Sequence, residues 1–123
     1  MKRRVLISVV DDDLSLRESL PDQLQLLGFD VMAFGSAEDF LASEALDDTQ
    51  CLLLDVSMPG MSGPQLQQEL KRRELKIPIV FMTAHRDRAL CADLLARGAV
   101  DCLFKPFSEQ DLRSALVRAV GAD

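Results

Sequence analysis

Five short apolar runs divide this chain, and each is followed by a stretch with helical spacing or a helix-start signature. Val5-Leu6-Ile7-Ser8-Val9-Val10, Phe29–Phe34, Cys51-Leu52-Leu53-Leu54, Pro78-Ile79-Val80-Phe81-Met82 and Ala99–Phe104 read as strands. Leu14–Leu27, a short segment opened by Ser36, Pro64–Arg73, Arg86–Arg97 and a last segment capped by Ser108 read as helices. A continuous apolar run bounded by turn residues fits a strand buried on both faces, because a parallel sheet is covered by the helices of its own crossovers. Alternation at this spacing predicts an α/β fold with a parallel sheet, right-handed crossovers and helices on both sides.

Local signals refine the elements. Leu16, Leu20, Leu24 and Leu27 recur at helical spacing, with Asp13 or Ser15 at the start and Gly28 just past the end. Pro21 falls inside that pattern and removes a backbone donor, so a kink or a loss of stability is expected there. Ser36-Ala37-Glu38-Asp39 combines an N-cap with acids in the first turn. Pro64 sits where a helix tolerates proline, and Leu66 and Leu70 lie one turn apart. Gly98 ends the fourth helix. Leu112, Ala115, Leu116, Ala119 and Val120 form the inner stripe of the fifth. Phe29–Phe34 is the weakest strand and belongs near a sheet edge.

The 123 residues suit one core, so residues 1–123 are read as one domain. With six Phe and no Trp or Tyr, that core must be aliphatic. A net charge of −6 argues against nucleic-acid binding by the domain's own surface, which would need clustered Lys and Arg. The basic runs Lys2-Arg3-Arg4 and Lys71-Arg72-Arg73 read as solvated ends. Cys51, Cys91 and Cys102 are odd in number and lack C-x-x-C spacing. They argue against a disulfide framework or structural zinc, and for small core residues in a reducing cytoplasm. No apolar run approaches the ~20 residues that span a bilayer. Three aspartates directly after Val10 argue against a signal peptide.

The chemistry lies at the strand ends. The first strand ends in Asp11-Asp12, the third in Asp55, the fourth in Thr83 and the fifth in Lys105. In a parallel sheet these ends share one edge, where open α/β sheets bind ligands. Three carboxylates repel one another unless a cation neutralises them. Hard oxygen donors without His or Cys suit Mg2+, which often pairs with phosphate. A carboxylate can attack phosphorus and form an aspartyl phosphate, with the metal and the Lys105 ammonium stabilising the transferring oxygens.

Four motifs, in this order and at these ends, carry a resemblance: Val10-Asp11-Asp12, Leu54-Asp55-Val56-Ser57-Met58-Pro59-Gly60, Thr83-Ala84 and Lys105-Pro106-Phe107. With Gly98-Ala99-Val100-Asp101 before the fifth strand, the chain resembles the CheY-like receiver domain of two-component response regulators over essentially its whole length. The resemblance implies a flavodoxin-like three-layer sandwich with sheet order 2-1-3-4-5. It implies that Asp55 accepts a phosphoryl group from a sensor histidine kinase. It further implies that Asp12, Asp55 and the Ser57 backbone carbonyl bind Mg2+, with Asp11 acting mostly through water. Lys105 and the Thr83-Ala84 pair would contact the phosphoryl group, Thr83 as the switch. The Lys105-Pro106 peptide would be cis, which is inexpensive only before proline.

One position departs from the family. Many receivers carry Tyr or Phe three residues before the lysine, and Cys102 stands there; Phe104 is expected on the opposite strand face. The stretches 55–63 and 98–101 look most like receivers that precede a LuxR-type helix-turn-helix output. A partner or a second copy would meet the fourth-helix face. The tail Gly121-Ala122-Asp123 leaves open a stand-alone receiver or a piece of a longer regulator. Other classes fit less well. A Mg2+-dependent phosphohydrolase would want a second acid where Ser57 stands. An FMN carrier would meet the repulsion of Asp11-Asp12-Asp13. A phosphate-independent docking module draws support from Cys102 alone.

Overall fold

Backbone hydrogen bonding joins the apolar runs into β1 (Leu6–Val10), β2 (Asp30–Phe34), β3 (Cys51–Asp55), β4 (Ile79–Thr83) and β5 (Asp101–Phe104). All pairs are parallel and the order is β2-β1-β3-β4-β5, as the resemblance implied. The structure, a computed structural model, describes residues 4–121; Lys2, Arg3, Ala122 and Asp123 lie outside the described residues. In register, Val10 lies beside Leu54, Leu54 beside Phe81, Asp55 beside Met82, and Thr83 beside Phe104.

Strand side chains alternate, so each strand feeds two cores. Ile7, Val9, Leu53, Val80, Met82 and Leu103 face α1 (Leu14–Leu26) and α5 (Glu109–Val120). Val10, Leu52, Leu54 and Phe81 face α2 (Ala37–Leu41), α3 (Gly63–Arg72) and α4 (Arg88–Ala96). Leu52, Leu53 and Leu54 are fully buried, which stabilises the fold by roughly 2 kcal/mol each relative to exposure. This explains why β3 reads as an unbroken apolar run. The edge strand β2 leaves Asp30, Met32 and Ala33 exposed, which is why its pattern was weak.

The caps follow the side chains. Asp13, Ser36 and Ser108 accept from backbone N–H groups in the first turns of α1, α2 and α5. Helix α1 continues through Pro21 as one element. Helix α3 opens with a reciprocal capping box in which Ser62 and Gln65 satisfy each other's backbone donors. Helix α4 starts at Arg88, two residues later than its sequence pattern suggested, because the Asp87 carboxylate takes the N-cap by accepting from Leu90 N–H at 3.0 Å. Thr83 caps no helix.

Two expectations from the sequence are overturned. The Cys91 and Cys102 sulfurs are joined in a disulfide, with the Cα atoms 5.9 Å apart. Eleven residues separate them in the chain, and only the seating of α4 against β5 brings them together. Spacing alone could not reveal that. Cys51 is a free buried thiol, pushed up to about 12 by burial, as a small core residue should be. Phe104 does not lie opposite Cys102: residues two apart on a strand share a face. Its ring packs under the Arg86 guanidinium, 5.3 Å from the ring centroid.

Candidate functional site

Sheet geometry assembles the site. The β1 chain passes straight from the buried Val10 into Asp11, whose carboxylate is also buried. Asp11 is fastened there: its N–H donates to the Phe34 carbonyl at 3.1 Å, and its carboxylate accepts from Asp13 N–H at 2.9 Å. The Arg17 guanidinium donates to the Asp11 carbonyl at 3.0 Å. Asp12 is exposed beside it. On the adjacent strand, Asp55 ends β3 with 6% of its surface exposed. Carboxylate oxygens of Asp11, Asp12 and Asp55 lie within 4.8 Å of one another.

Lys105, directly after β5, reaches back across the sheet edge. Its ammonium lies 2.7 Å from Asp11 and 3.3 Å from Asp55. The Lys105 N–H donates to the Thr83 carbonyl at 2.7 Å, which anchors the lysine to the end of β4. The Lys105-Pro106 peptide is cis. Thr83 is buried, and its hydroxyl is engaged locally by accepting from His85 N–H at 3.1 Å. Ala84, His85 and Ser57 are exposed around the rim.

The electrostatics are those of a cluster with too much negative charge. Burial, followed by the Asp11 charge, pushes the Asp55 carboxyl up to about 6; Lys105 opposes this and Asp12 adds a smaller push. Burial alone would lower the Lys105 ammonium, but its bonds to Asp11 and Asp55 raise it on balance. The three carboxylates, with no nitrogen or sulfur ligand grouped with them among the described residues, make a donor set for a hard divalent cation beside the half-buried Lys105 ammonium.

Removing the lysine should expose the imbalance. Lys105→Ala is expected to lower the stability of metal-free protein by about 3 kcal/mol, because it leaves the buried Asp11 carboxylate unpaired. Urea unfolding at neutral pH with a chelator measures this, and millimolar Mg2+ should restore part of the loss. A loss below about 1 kcal/mol would mean that water already screens the pair.

The site therefore gathers Asp11, Asp12, Asp55 and Lys105 as read from the sequence. It leaves the Thr83 hydroxyl turned to its own loop and Cys102 committed to a disulfide. Sequence reading missed three supports. Arg17 holds the Asp11 carbonyl. Glu38 accepts from Met61 N–H at 3.0 Å and steadies the loop after β3. Gly63 packs its backbone against Asp55 so closely that an added Cβ would sit 2.3 Å from the Asp55 carbonyl oxygen. Only Gly63 had a local signal, as the glycine inside Ser62-Gly63-Pro64.

The comparisons with known proteins bear on the family and the fold. The family model described as response regulator receiver domain matches residues 7–117. Nodulation protein W of Bradyrhizobium diazoefficiens is 44% identical over 120 residues, covering 98% of this chain and 53% of that protein. Transcriptional regulatory protein TdiR of Thauera aromatica is 42% identical over 114 residues, covering 93% of this chain and 50% of that protein. The solved structure of FixJ-N is similar at a TM-score of 0.85 and 34% identity, covering 97% of this chain and 95% of that one. The chain spans about half the length of these curated relatives. Among the described residues, no helix is long and apolar enough to cross a membrane.

Proposed function

We propose, given that this chain belongs to the response regulator receiver family of two-component signalling, that Asp55 accepts a phosphoryl group from a sensor histidine kinase in a Mg2+-dependent reaction. Members of the family are signalling switches rather than turnover enzymes. The reading extends to residues 1–123 as one receiver domain, working in the cytoplasm where a kinase could reach it, and taking up and losing its own phosphoryl group.

One observation carries the assignment: Asp55 ends the central strand within 4.8 Å of two further carboxylates, and the Lys105 ammonium lies 3.3 Å away. An ionised Asp55 oxygen attacks phosphorus, and the kinase imidazole leaves. Lys105 holds the equatorial charge from one side. Asp12, Asp55 and the Ser57 carbonyl would hold Mg2+, with Asp11 acting through water, and the metal would supply charge neutralisation when bound. The product carries about −1.5 to −2 charge at neutral pH. A phosphoryl oxygen then competes with the His85 carbonyl, which lies 3.3 Å from the Thr83 hydroxyl, for the hydroxyl proton, beside Ala84. Drawing Thr83 inward would move the 84–87 segment that leads into α4. That face would then meet a second copy or an output partner.

The similarity to TdiR, a transcriptional regulatory protein, supports a DNA-binding output, which we propose as LuxR-type; the receiver itself would touch no nucleic acid. Intact mass after incubation with acetyl phosphate tests the reading. One added phosphoryl group is expected, labile at alkaline pH, and no uptake is expected when Mg2+ is chelated beforehand. No uptake in the Mg2+-bound protein, with hydrolysis shown too slow to hide the product, would instead favour a phosphate-independent docking module.

A further inference from the structure

The disulfide ties α4, which follows the 84–87 segment that the switching chemistry would move, to β5. Cys91 lies in the middle of α4 and is buried; Cys102 lies in the edge strand β5 and is half-buried. Besides the bridge, α4 is held by Leu90 and Leu94 in the core and by the Gln67 amide donating to the Leu94 carbonyl at 3.4 Å. Of its residues Cys91 and Leu94 are buried, while Leu95 is 42% exposed. Helix α3 on the same face buries Gly63, Leu66, Gln67 and Leu70. A helix with few buried contacts belongs to the least stable part of a fold.

The bridge also stands next to the site. Cys102 pairs in register with Phe81, and Phe104 pairs with Thr83. Four residues, 84–87, connect Thr83 to the start of α4. Within them Arg86 rests on the Phe104 ring, so the segment already leans on the strand that holds Cys102. A covalent link from α4 to β5 therefore fixes the helix at its middle, while the strand-end hydroxyl acts on its start.

We infer that Cys91 and Cys102 form a redox modification site, whose disulfide holds α4 against β5 and whose reduction releases α4 to respond to phosphorylation. The inference rests on the reading of Asp55 as phosphoacceptor. The reactant it takes is a dithiol. One thiolate of the dithiol attacks the more exposed Cys102 sulfur, forming a mixed disulfide and releasing Cys91 as a thiolate that picks up a proton. The second thiol of the reductant attacks its own sulfur in the mixed disulfide and expels the Cys102 thiolate, which is protonated in turn. Two electrons and two protons pass from the reductant, which leaves as a disulfide, and a disulfide oxidant reverses the sequence. Cys51 takes no part, because it is enclosed under the sheet.

The test uses the whole chain in three forms: disulfide-bonded, reduced with dithiothreitol, and Cys91→Ala. Each is treated with acetyl phosphate and Mg2+. Intact mass reads phosphoryl uptake, and hydrogen exchange of residues 88–96 reads α4. All three forms should take up phosphate to within about twofold, since neither sulfur touches the carboxylate cluster. Phosphorylation should change α4 exchange by about tenfold or more in the reduced and Cys91→Ala forms, and by less than about twofold in the disulfide form. An equal α4 response in all forms would overturn the redox site while leaving Asp55 as phosphoacceptor. So would failure of oxidised glutathione to join the pair in the folded protein. Absence of uptake in every form would overturn the phosphoacceptor reading itself, and the redox site with it.

Discussion

Asp55→Asn is expected to take up no phosphoryl group and, in metal-free buffer near about pH 8, to unfold at a higher temperature than the parent chain. The first effect follows from chemistry, because an amide oxygen is too poor a nucleophile to attack phosphorus. The second follows from the site's electrostatics. Burial and the Asp11 charge push the Asp55 carboxyl from 3.8 to about 6, so the folded protein holds that proton more tightly than the unfolded chain. The stabilisation from this preference is fully present below about pH 4 and is lost as pH rises through about 6. Above that, the ionised carboxylate costs at most about 3 kcal/mol, which the neutral, equally large amide avoids. Lys105 keeps its closer bond to Asp11 in either case. The stability difference should therefore be largest at alkaline pH and vanish below about pH 4. Thermal unfolding across that range checks it. A variant no more stable than the parent at about pH 8 would mean that water or a cation already compensates Asp55 in the folded state.

Gly63→Ala should be among the most damaging single substitutions outside the carboxylate cluster. The added methyl would stand 2.3 Å from the Asp55 carbonyl oxygen and 3.1 Å from both the Val56 Cα and the Phe81 ring. Backbone cannot yield as a flexible side chain does, so either α3 lifts from β3 or the end of β3 bends. Overpacking of this kind costs about 3 kcal/mol or more. Because Gly63 N–H also donates to the Val56 carbonyl at 3.0 Å, the strain falls on the segment that aims Asp55. Phosphoryl uptake should drop by about tenfold or more even where the variant stays folded, since small misplacement of a reacting group is expensive. Gly98→Ala is the control. Gly98, unlike Gly63, has a positive φ of 110°, and an added Cβ there meets nothing within 4 Å. It should lose only about 1 kcal/mol and keep full uptake. Equal losses at the two glycines would show that the contact with Asp55 costs no more than the strain of a side chain at a positive φ.

The parallel sheet was legible because burial on both faces leaves an unmistakable apolar run, as in Cys51–Leu54. The carboxylates and lysine were legible because every strand of a parallel sheet ends on the same edge. Asp11, Asp12, Asp55 and Lys105 could thus be brought together without coordinates. The exposed edge strand β2 and the start of α4 were less legible, since one lacks a buried face and the other depends on which of several polar residues wins the cap. Asp87 won it because its side chain reaches the Leu90 N–H.

What the sequence determined by itself was the alternation, the strand order through its family resemblance, and the set of groups on the edge. These depend on local periodicity and on a symmetry of parallel sheets, both of which are written along the chain. Tertiary structure alone decided the Cys91–Cys102 bridge, the seat of Arg86 on the Phe104 ring, and the contact of Gly63 with Asp55. It also decided that the Thr83 hydroxyl is held by His85 N–H. Each of these is set by how closely one element seats on another, to within an ångström or so. That distance comes from the packing of whole side chains across layers, and no spacing of letters encodes it.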